Sequence, residues 1–380
     1  MQKNIILAIV IVLIIGSIFW LQSLKPKNAA DVPATELQVI AEPDVPEPPE
    51  IKEAVQPKKE MKTTPPENAK KYPKGKELAA ISGYINAPEG LKLQELVGKK
   101  VIIVDFWTYS CINCQRTIPY LNDWYAKYKD QGLEIIGVHT PEFGFEKDIN
   151  NVRAAALRFG IKYPVVLDND YGTWSAYENR YWPRKYIIDI NGYIVYDHIG
   201  EGGYEETERE IQKLLGVSAD TTKLVGEISA GGEISPEIYF GASRNSYLGN
   251  GKDGQVGSQT LTDPAGLKTH ILYLAGAWNF TGESATNESV PAKIIYRYIA
   301  KNVFFVGHSS SGVVAKILRD GQPLTSDLAG EDIYFENGES KVKINEARLY
   351  KLIKQSAKEE HTLEIIPESS GLEAFTFTFG

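Results

Sequence analysis

The stretch KKVIIVDFWTYSCINC, residues 99–114, limits what this chain can fold into more than any other. Its apolar run from Val101 to Trp107 suits a strand buried on both faces, as in a parallel sheet covered by helices on each side. Asp105 interrupts that run, and a carboxyl group in an apolar strand is too costly to be idle. Just beyond stand Cys111 and Cys114, which account for both cysteines in the 380 residues. Ile118, Leu121, Trp124, Tyr125 and Tyr128 then recur at helical spacing. The pair therefore falls between a buried strand and a helix start, where free amides and the helix dipole favour a thiolate at Cys111.

Three uses of such a pair compete. As a staple, so short a loop adds only about 2 kcal/mol, less than the roughly 3 of a longer one, and a domain of this size does not need it. Zinc is disfavoured because there is no second cysteine pair and the five histidines are scattered. Redox chemistry remains, with no metal and no cofactor expected. Lys and Arg total 41 against 49 Asp and Glu, a formal net charge of −8, so no basic excess points to nucleic acid.

The ends of the chain read differently from its middle. Ile5 to Leu21 is uninterruptedly apolar and long enough, with modest tilt, to cross a bilayer. Residues 1–24 are therefore expected to be an uncleaved transmembrane anchor. NAADVPA at 28–34 offers a peptidase small residues, but the apolar run is longer than the usual core of a signal peptide. Residues 25–76 are rich in Pro, Glu and Lys and too poor in apolar groups to fold. Extended at roughly 3.1 Å per residue, such a linker would reach about 150 Å. Two folded domains are expected beyond it, at 77–217 and 218–380.

The first is α/β. A second buried strand, Leu133–Val138, precedes a helix carrying Ile149, Val152, Ala156 and Phe159 on one face. Lys185–His198 reads as a hairpin turned at Asn191-Gly192, and Tyr204 to Leu215 as a closing helix. The second is all-β, with strand-like runs at His270–Gly276, Ala292–Ala300, Asn302–His308, Val313–Leu318 and Thr362–Pro367. In EAFTFTFG the alternation places Phe375, Phe377 and Phe379 on one side and Thr376 and Thr378 on the other. This spacing argues an antiparallel sandwich or jelly roll.

VDFW-x-x-x-C-x-x-C, with Pro119 along the following helix, resembles the active-site stretch of thioredoxin-like proteins. FWTYSCINCQRTIPY together with GVHTPEF, YPVVLDNDYGTW and YWPRKYIID is similar to the DipZ type of exported thioredoxin-like protein, over about Gly83 to Gly380. The resemblance implies a C-terminal jelly roll like those of carbohydrate-binding modules. It also implies roles: Cys111 attacks and Cys114 resolves, Asp105 relays a proton, and Trp182-Pro183 is the cis-proline loop that holds a client strand. Trp107, Trp182, Ile112 and Asn113 are the implied client contacts. Ile112 and Asn113 replace the Gly-Pro of thioredoxin. In DipZ-type proteins a CcdA-like domain of several membrane helices commonly precedes the thioredoxin-like domain, whereas a single anchor is read here.

Other patterns compete with this reading. Thr108 stands three residues before Cys111, as in the Thr-x-x-Cys of peroxiredoxins, but Val104 occupies the place of the expected proline. Glu142 and Glu146 read as surface loop carboxylates. VFFVGHSSSG (303–312) fails as a nucleophile elbow because Ser311 holds the last glycine position, so it reads as a polar hairpin turn. Tyr239, Tyr247 and Trp278 are candidates for stacking on a sugar, or for core packing.

The expectation is a membrane-anchored, single-pass, extracytoplasmic thiol–disulfide oxidoreductase. It would reduce disulfide-bonded exported clients and be recharged by a CcdA-type membrane thiol carrier, with a glycan as a further partner. The alternatives are a carbohydrate- or envelope-binding module with a residual thioredoxin-like domain, and a thiol peroxidase.

Overall fold

The structure, a computed structural model, describes residues 71–218, 221 and 233–380. The expected anchor and the linker before residue 71 lie outside the described residues. Among the described residues no helix is long and apolar enough to cross a membrane.

The α/β region is built on strands β1 (Gly83–Ile85), β2 (Val101–Trp107), β3 (Leu133–His139), β4 (Val165–Leu167), β5 (Arg184–Ile188) and β6 (Ile194–Ile199). They hydrogen-bond in the order β1-β4-β3-β2-β5-β6. β2 pairs parallel with β3 and β3 with β4, while β1, β5 and β6 run antiparallel to their neighbours. Helices α1 (Ile112–Tyr128), α2 (Ile149–Arg158), α3 (Gly172–Ala176) and α4 (Tyr204–Leu215) complete the region. Every residue of β2 is buried, as its apolar run requires. Period two sends Ile103 and Trp107 into one core, with Cys114, Leu121 and Trp124 of α1, and Ile102, Val104 and Phe106 into the other, with Tyr177 and Tyr186. The β5–β6 hairpin turns at Asn191-Gly192, where Gly192 takes the left-handed conformation at φ 87°.

In the C-terminal region the strands pair antiparallel with one another. Its strands are β7 (Ile238–Tyr239), β8 (Gly257–Leu261), β9 (Leu272–Phe280), β10 (Ala285–Asn287), β11 (Lys293–His308), β12 (Val313–Arg319), β13 (Gln322–Pro323), β14 (Ile333–Glu336), β15 (Glu339–Ile344), β16 (Arg348–Pro367) and β17 (Glu373–Phe379). Two runs expected as separate strands, Ala292–Ala300 and Asn302–His308, form the single strand β11, because a register shift at Lys301 absorbs the irregularity without ending the ladder. The segment 309–312 is not a hairpin turn: β16 lies between β11 and β12, so it is a crossover. Trp278 is fully buried and its indole donates to the Ala275 carbonyl at 2.8 Å, which makes it a core residue and not a sugar platform.

A second register shift re-aims one side chain. Val306 pairs with Thr376 and Gly307 with Ala374, leaving Phe375 as the extra residue. Phe377 stays in the core of the C-terminal region, whereas Phe375 turns to the face shared by Phe304 and Val306. The simple alternation Phe375, Phe377, Phe379 is therefore broken at its first member. Phe375, Phe304, Val306 and Leu349 pack on Ile112 and Phe143 of the α/β region, forming an apolar seam between the two. Polar contacts flank it: Tyr109 donates to the Ala347 carbonyl at 3.0 Å, and Glu142 accepts from Tyr239 and Arg244 at 2.9 and 2.8 Å. Tyr239, a second sugar-stacking candidate, lies at this seam with Arg244 3.7 Å above its ring.

Candidate active site

The buried strand β2 ends at Trp107, a turn follows, and Cys111 becomes the N-cap of α1. Its sulfur accepts the Cys114 amide N–H at 3.3 Å, at the helix end where free amides suit an anion. Cys111 is half-buried and Cys114 is 1% exposed, so a client can reach one sulfur and not the other. Burial, then the hydrogen bond and charge of Cys111, push the Cys114 thiol well above its ordinary value. Inside the fold, Cys114 therefore keeps its proton until something takes it.

The Trp182-Pro183 peptide is cis. The Cys111 thiol points at the Trp182 carbonyl 3.9 Å away, which puts the loop before β5 against the attacking sulfur. That loop is braced from behind. The Trp182 indole donates to the Thr140 carbonyl at 3.0 Å and packs on Trp174 at 4.3 Å between centroids.

Asp105 lies in the core under α1, and burial pushes it up to about 7, against the pull of Lys185. Its carboxyl thus changes charge near neutrality, as an acid–base group working at ordinary pH needs to. His139, at the end of β3, is pushed down to about 3 by burial and is neutral. Its Nε2 lies 3.4 Å from the buried Thr108 hydroxyl.

Glu146 is not the surface carboxylate its loop position implies; it is 0% exposed. Oε1 accepts from the Ser110 amide and hydroxyl at 3.3 and 2.6 Å, and Oε2 from the Glu142 and Phe143 amides at 2.6 and 3.0 Å. The carboxylate ties the turn before Cys111 to the loop after β3. Burial pushes the Glu146 carboxyl above its ordinary value, while hydrogen bonds from Ser110, Thr108 and the Glu142 amide oppose the rise.

The structure brings Cys111, Cys114, Asp105 and the Trp182-Pro183 loop together. Asn113 is half-buried beside the pair, where its side-chain oxygen faces Arg116 at 3.5 Å. Two implied client contacts are differently placed. Trp107 is fully buried, edge-on to His139 at 5.0 Å, and supports the site from beneath. Ile112 is covered by the seam residues Phe304, Val306, Leu349 and Phe375. Sequence reasoning passed over Lys185, although strand parity with the buried Ile187 would have placed it inward.

Residues 80–197 match the AhpC/TSA family, and residues 235–380 match the thioredoxin-like C-terminal domain family. The chain is 36% identical to protein DipZ of Mycobacterium bovis over 313 residues, which are 80% of this chain and 42% of DipZ. It therefore spans less than half the length of that relative. It is 30% identical to the thiol-disulfide oxidoreductase YkuV of Bacillus subtilis over 122 residues, 32% of this chain and 82% of YkuV. With the thiol-disulfide oxidoreductase ResA of Halalkalibacterium halodurans the identity is 33% over 129 residues, 33% of this chain and 68% of ResA. A reachable sulfur at a helix N-cap, a buried partner beneath it and relatives of this kind lead to one assignment: the chain belongs to the DipZ-type thioredoxin-like proteins, and its α/β region to the thiol-disulfide oxidoreductases.

Proposed function

We propose that this chain is a membrane-anchored, extracytoplasmic thiol–disulfide oxidoreductase that reduces disulfides of exported proteins. The observation that carries the reading is the pair itself: Cys111 half-exposed against the cis-proline loop and Cys114 buried one helical turn away. The Cys111 thiolate attacks a client disulfide, forming a Cys111–client bond and releasing the first client sulfur as a thiolate. Cys114 then gives its proton to the Asp105 carboxylate and attacks the Cys111 sulfur. The bond to the client breaks, the electron pair leaves on the second client sulfur, and that thiolate takes up a proton. The client gains two electrons and the Cys111–Cys114 pair becomes a disulfide. A membrane dithiol carrier of CcdA type would return it to the reduced form.

A peroxidase would need the Thr108 hydroxyl beside the attacking sulfur, whereas this hydroxyl is buried next to His139. The C-terminal region we read as a jelly roll of the carbohydrate-binding-module kind. Of the sugar-stacking candidates, Tyr247 is the one that remains exposed.

The full chain in detergent should catalyse dithiol-dependent reduction of a disulfide-bonded protein. Its Cys111–Cys114 couple should equilibrate near the ~−270 mV of thioredoxin, and a value near the ~−120 mV of DsbA would make it an oxidant instead. For topology, a reporter fused after Lys76 should be active only on the outer side of the membrane. Activity confined to the cytoplasm would overturn that placement.

A further inference from the structure

Strand pairing places a row of residues across the sheet beneath Cys114. Lys185 on β5 lies opposite Asp105 on β2, Asp105 opposite Gly137 on β3, and Gly137 opposite Val165 on β4. Directly opposed residues project to the same face of a sheet. Here it is the face that α1 covers, since Ile103 and Ile187, one repeat away, share their core with Cys114. Gly137 leaves its place in the row open. A Cβ there would stand 2.9 Å from the Trp107 indole nitrogen and 3.1 Å from the Tyr163 ring, so Tyr163 fills the space beside the acid.

Lys185 is 0% exposed. An ammonium in a core is costly unless a charge and hydrogen bonds compensate it. Nζ donates to the Gly200 carbonyl at 3.3 Å and lies 5.6 Å from the centre of the Tyr204 ring. A single carbonyl does not balance a full charge: burial pushes the Lys185 ammonium below its ordinary range, and the negative charge of Asp105 across the ladder is the first of the groups that oppose this fall. The groups that face Lys185 are Asp105 from β2, Cys114 from α1, Glu201 from the loop after β6 and Tyr204 from α4. Asp105 in turn faces Lys185, Cys114 and Tyr163. Among the described residues Asp105 Oδ1 is buried without a hydrogen-bond partner, so no fixed donor on that oxygen competes with the lysine for control of its charge.

We propose that Lys185 is a positioning residue for Asp105: its buried ammonium keeps the carboxylate ionised under Cys114, ready to take the thiol proton as the mixed disulfide resolves. The inference rests on the redox reading above and adds to it a residue that never meets the client. Its effect has a definite sign. Burial alone drives Asp105 toward the neutral acid, and Lys185 opposes that drive. Without the lysine the carboxyl stays protonated to higher pH and cannot accept a proton near neutrality. The first attack, by Cys111 at the surface, does not pass through Asp105.

The test follows both steps by stopped flow from pH 5.5 to 9 in the full-length wild type, Lys185→Met, Asp105→Asn and the double variant. Lys185→Met should move the midpoint of the resolution step upward by about one pH unit or more, slowing resolution at neutral pH roughly tenfold. Mixed-disulfide formation should change little. In the Asp105→Asn background the lysine substitution should add no further shift in midpoint. An unmoved midpoint in Lys185→Met, or an equal shift without Asp105, overturns the proposal and leaves Lys185 a packing residue. If the wild type forms no mixed disulfide, the redox reading fails, a separate result. Should Lys185→Met not fold, the wild type decides by carbon NMR: the Lys185 Cε and Asp105 carboxyl signals should titrate together near neutrality. A Lys185 signal indifferent to that transition would equally overturn it.

Discussion

Cys114→Ser should accumulate covalent complexes with client proteins, and Cys111→Ser should form none, with reductase activity of both reduced about 10³-fold or more. The asymmetry follows from burial. Cys111 is the sulfur a client can reach, and its thiol faces the Trp182 carbonyl at the loop where an extended client strand would lie. Cys114 is sealed on the buried face of α1 and meets a client only through Cys111. Serine at 114 leaves the first attack intact and removes the second, so the intermediate persists. Non-reducing gels with mass spectrometry of the trapped species check this. Equal trapping by both variants, or by neither, would remove the assigned order of attack.

Glu146→Ala should destabilise the fold by about 3–5 kcal/mol, because buried neutral donors lose the acceptor they share. The four donors that converge on this carboxylate would be left in a dry site, each costing about 1–3 kcal/mol if nothing replaces its acceptor. The turn before Cys111 would also loosen, so attack should slow even in the folded fraction. Glu146→Gln keeps the volume but turns an amide group toward one pair of donors, and should lose roughly half as much. Thermal and denaturant unfolding read the stability, and stopped flow the attack. A loss below about 1 kcal/mol in Glu146→Ala would mean that water replaces the carboxylate.

Glu146 also shows where sequence reading stops. The carboxylate sits in EFGFEKD, a loop without periodicity, and a buried acid satisfied by backbone amides leaves no pattern in the residues themselves. The phenylalanines at 143 and 145 were the one available hint that this loop turns inward. Where periodicity exists, the reading carried well: the strand ending at Trp107, the helix Tyr204–Leu215 and the hairpin at Asn191-Gly192 are found where the pattern puts them. β16 was seen only in its last third. Its middle, KQSAKEEH, is polar enough to read as loop, and there the ladder with β11 breaks after Lys354 and resumes from Glu359. Lys185 was missed for the converse reason. Composition marks a lysine as a surface residue, and only the parity of the strand, followed residue by residue, contradicts that.

The extra residue at Phe375 turns the count of amino acids along β17 into a key. On one side of it the strand obeys the alternation of its own core; on the other that alternation is offset by one, so a ring that would have served that core serves the neighbouring region. Deleting one residue there would restore regular pairing, withdraw the ring from Ile112 and leave the two cores each intact but no longer matched. The environment of Ile112, one of the two residues between the cysteines, is thus written in the length of a strand more than 250 positions further along the chain.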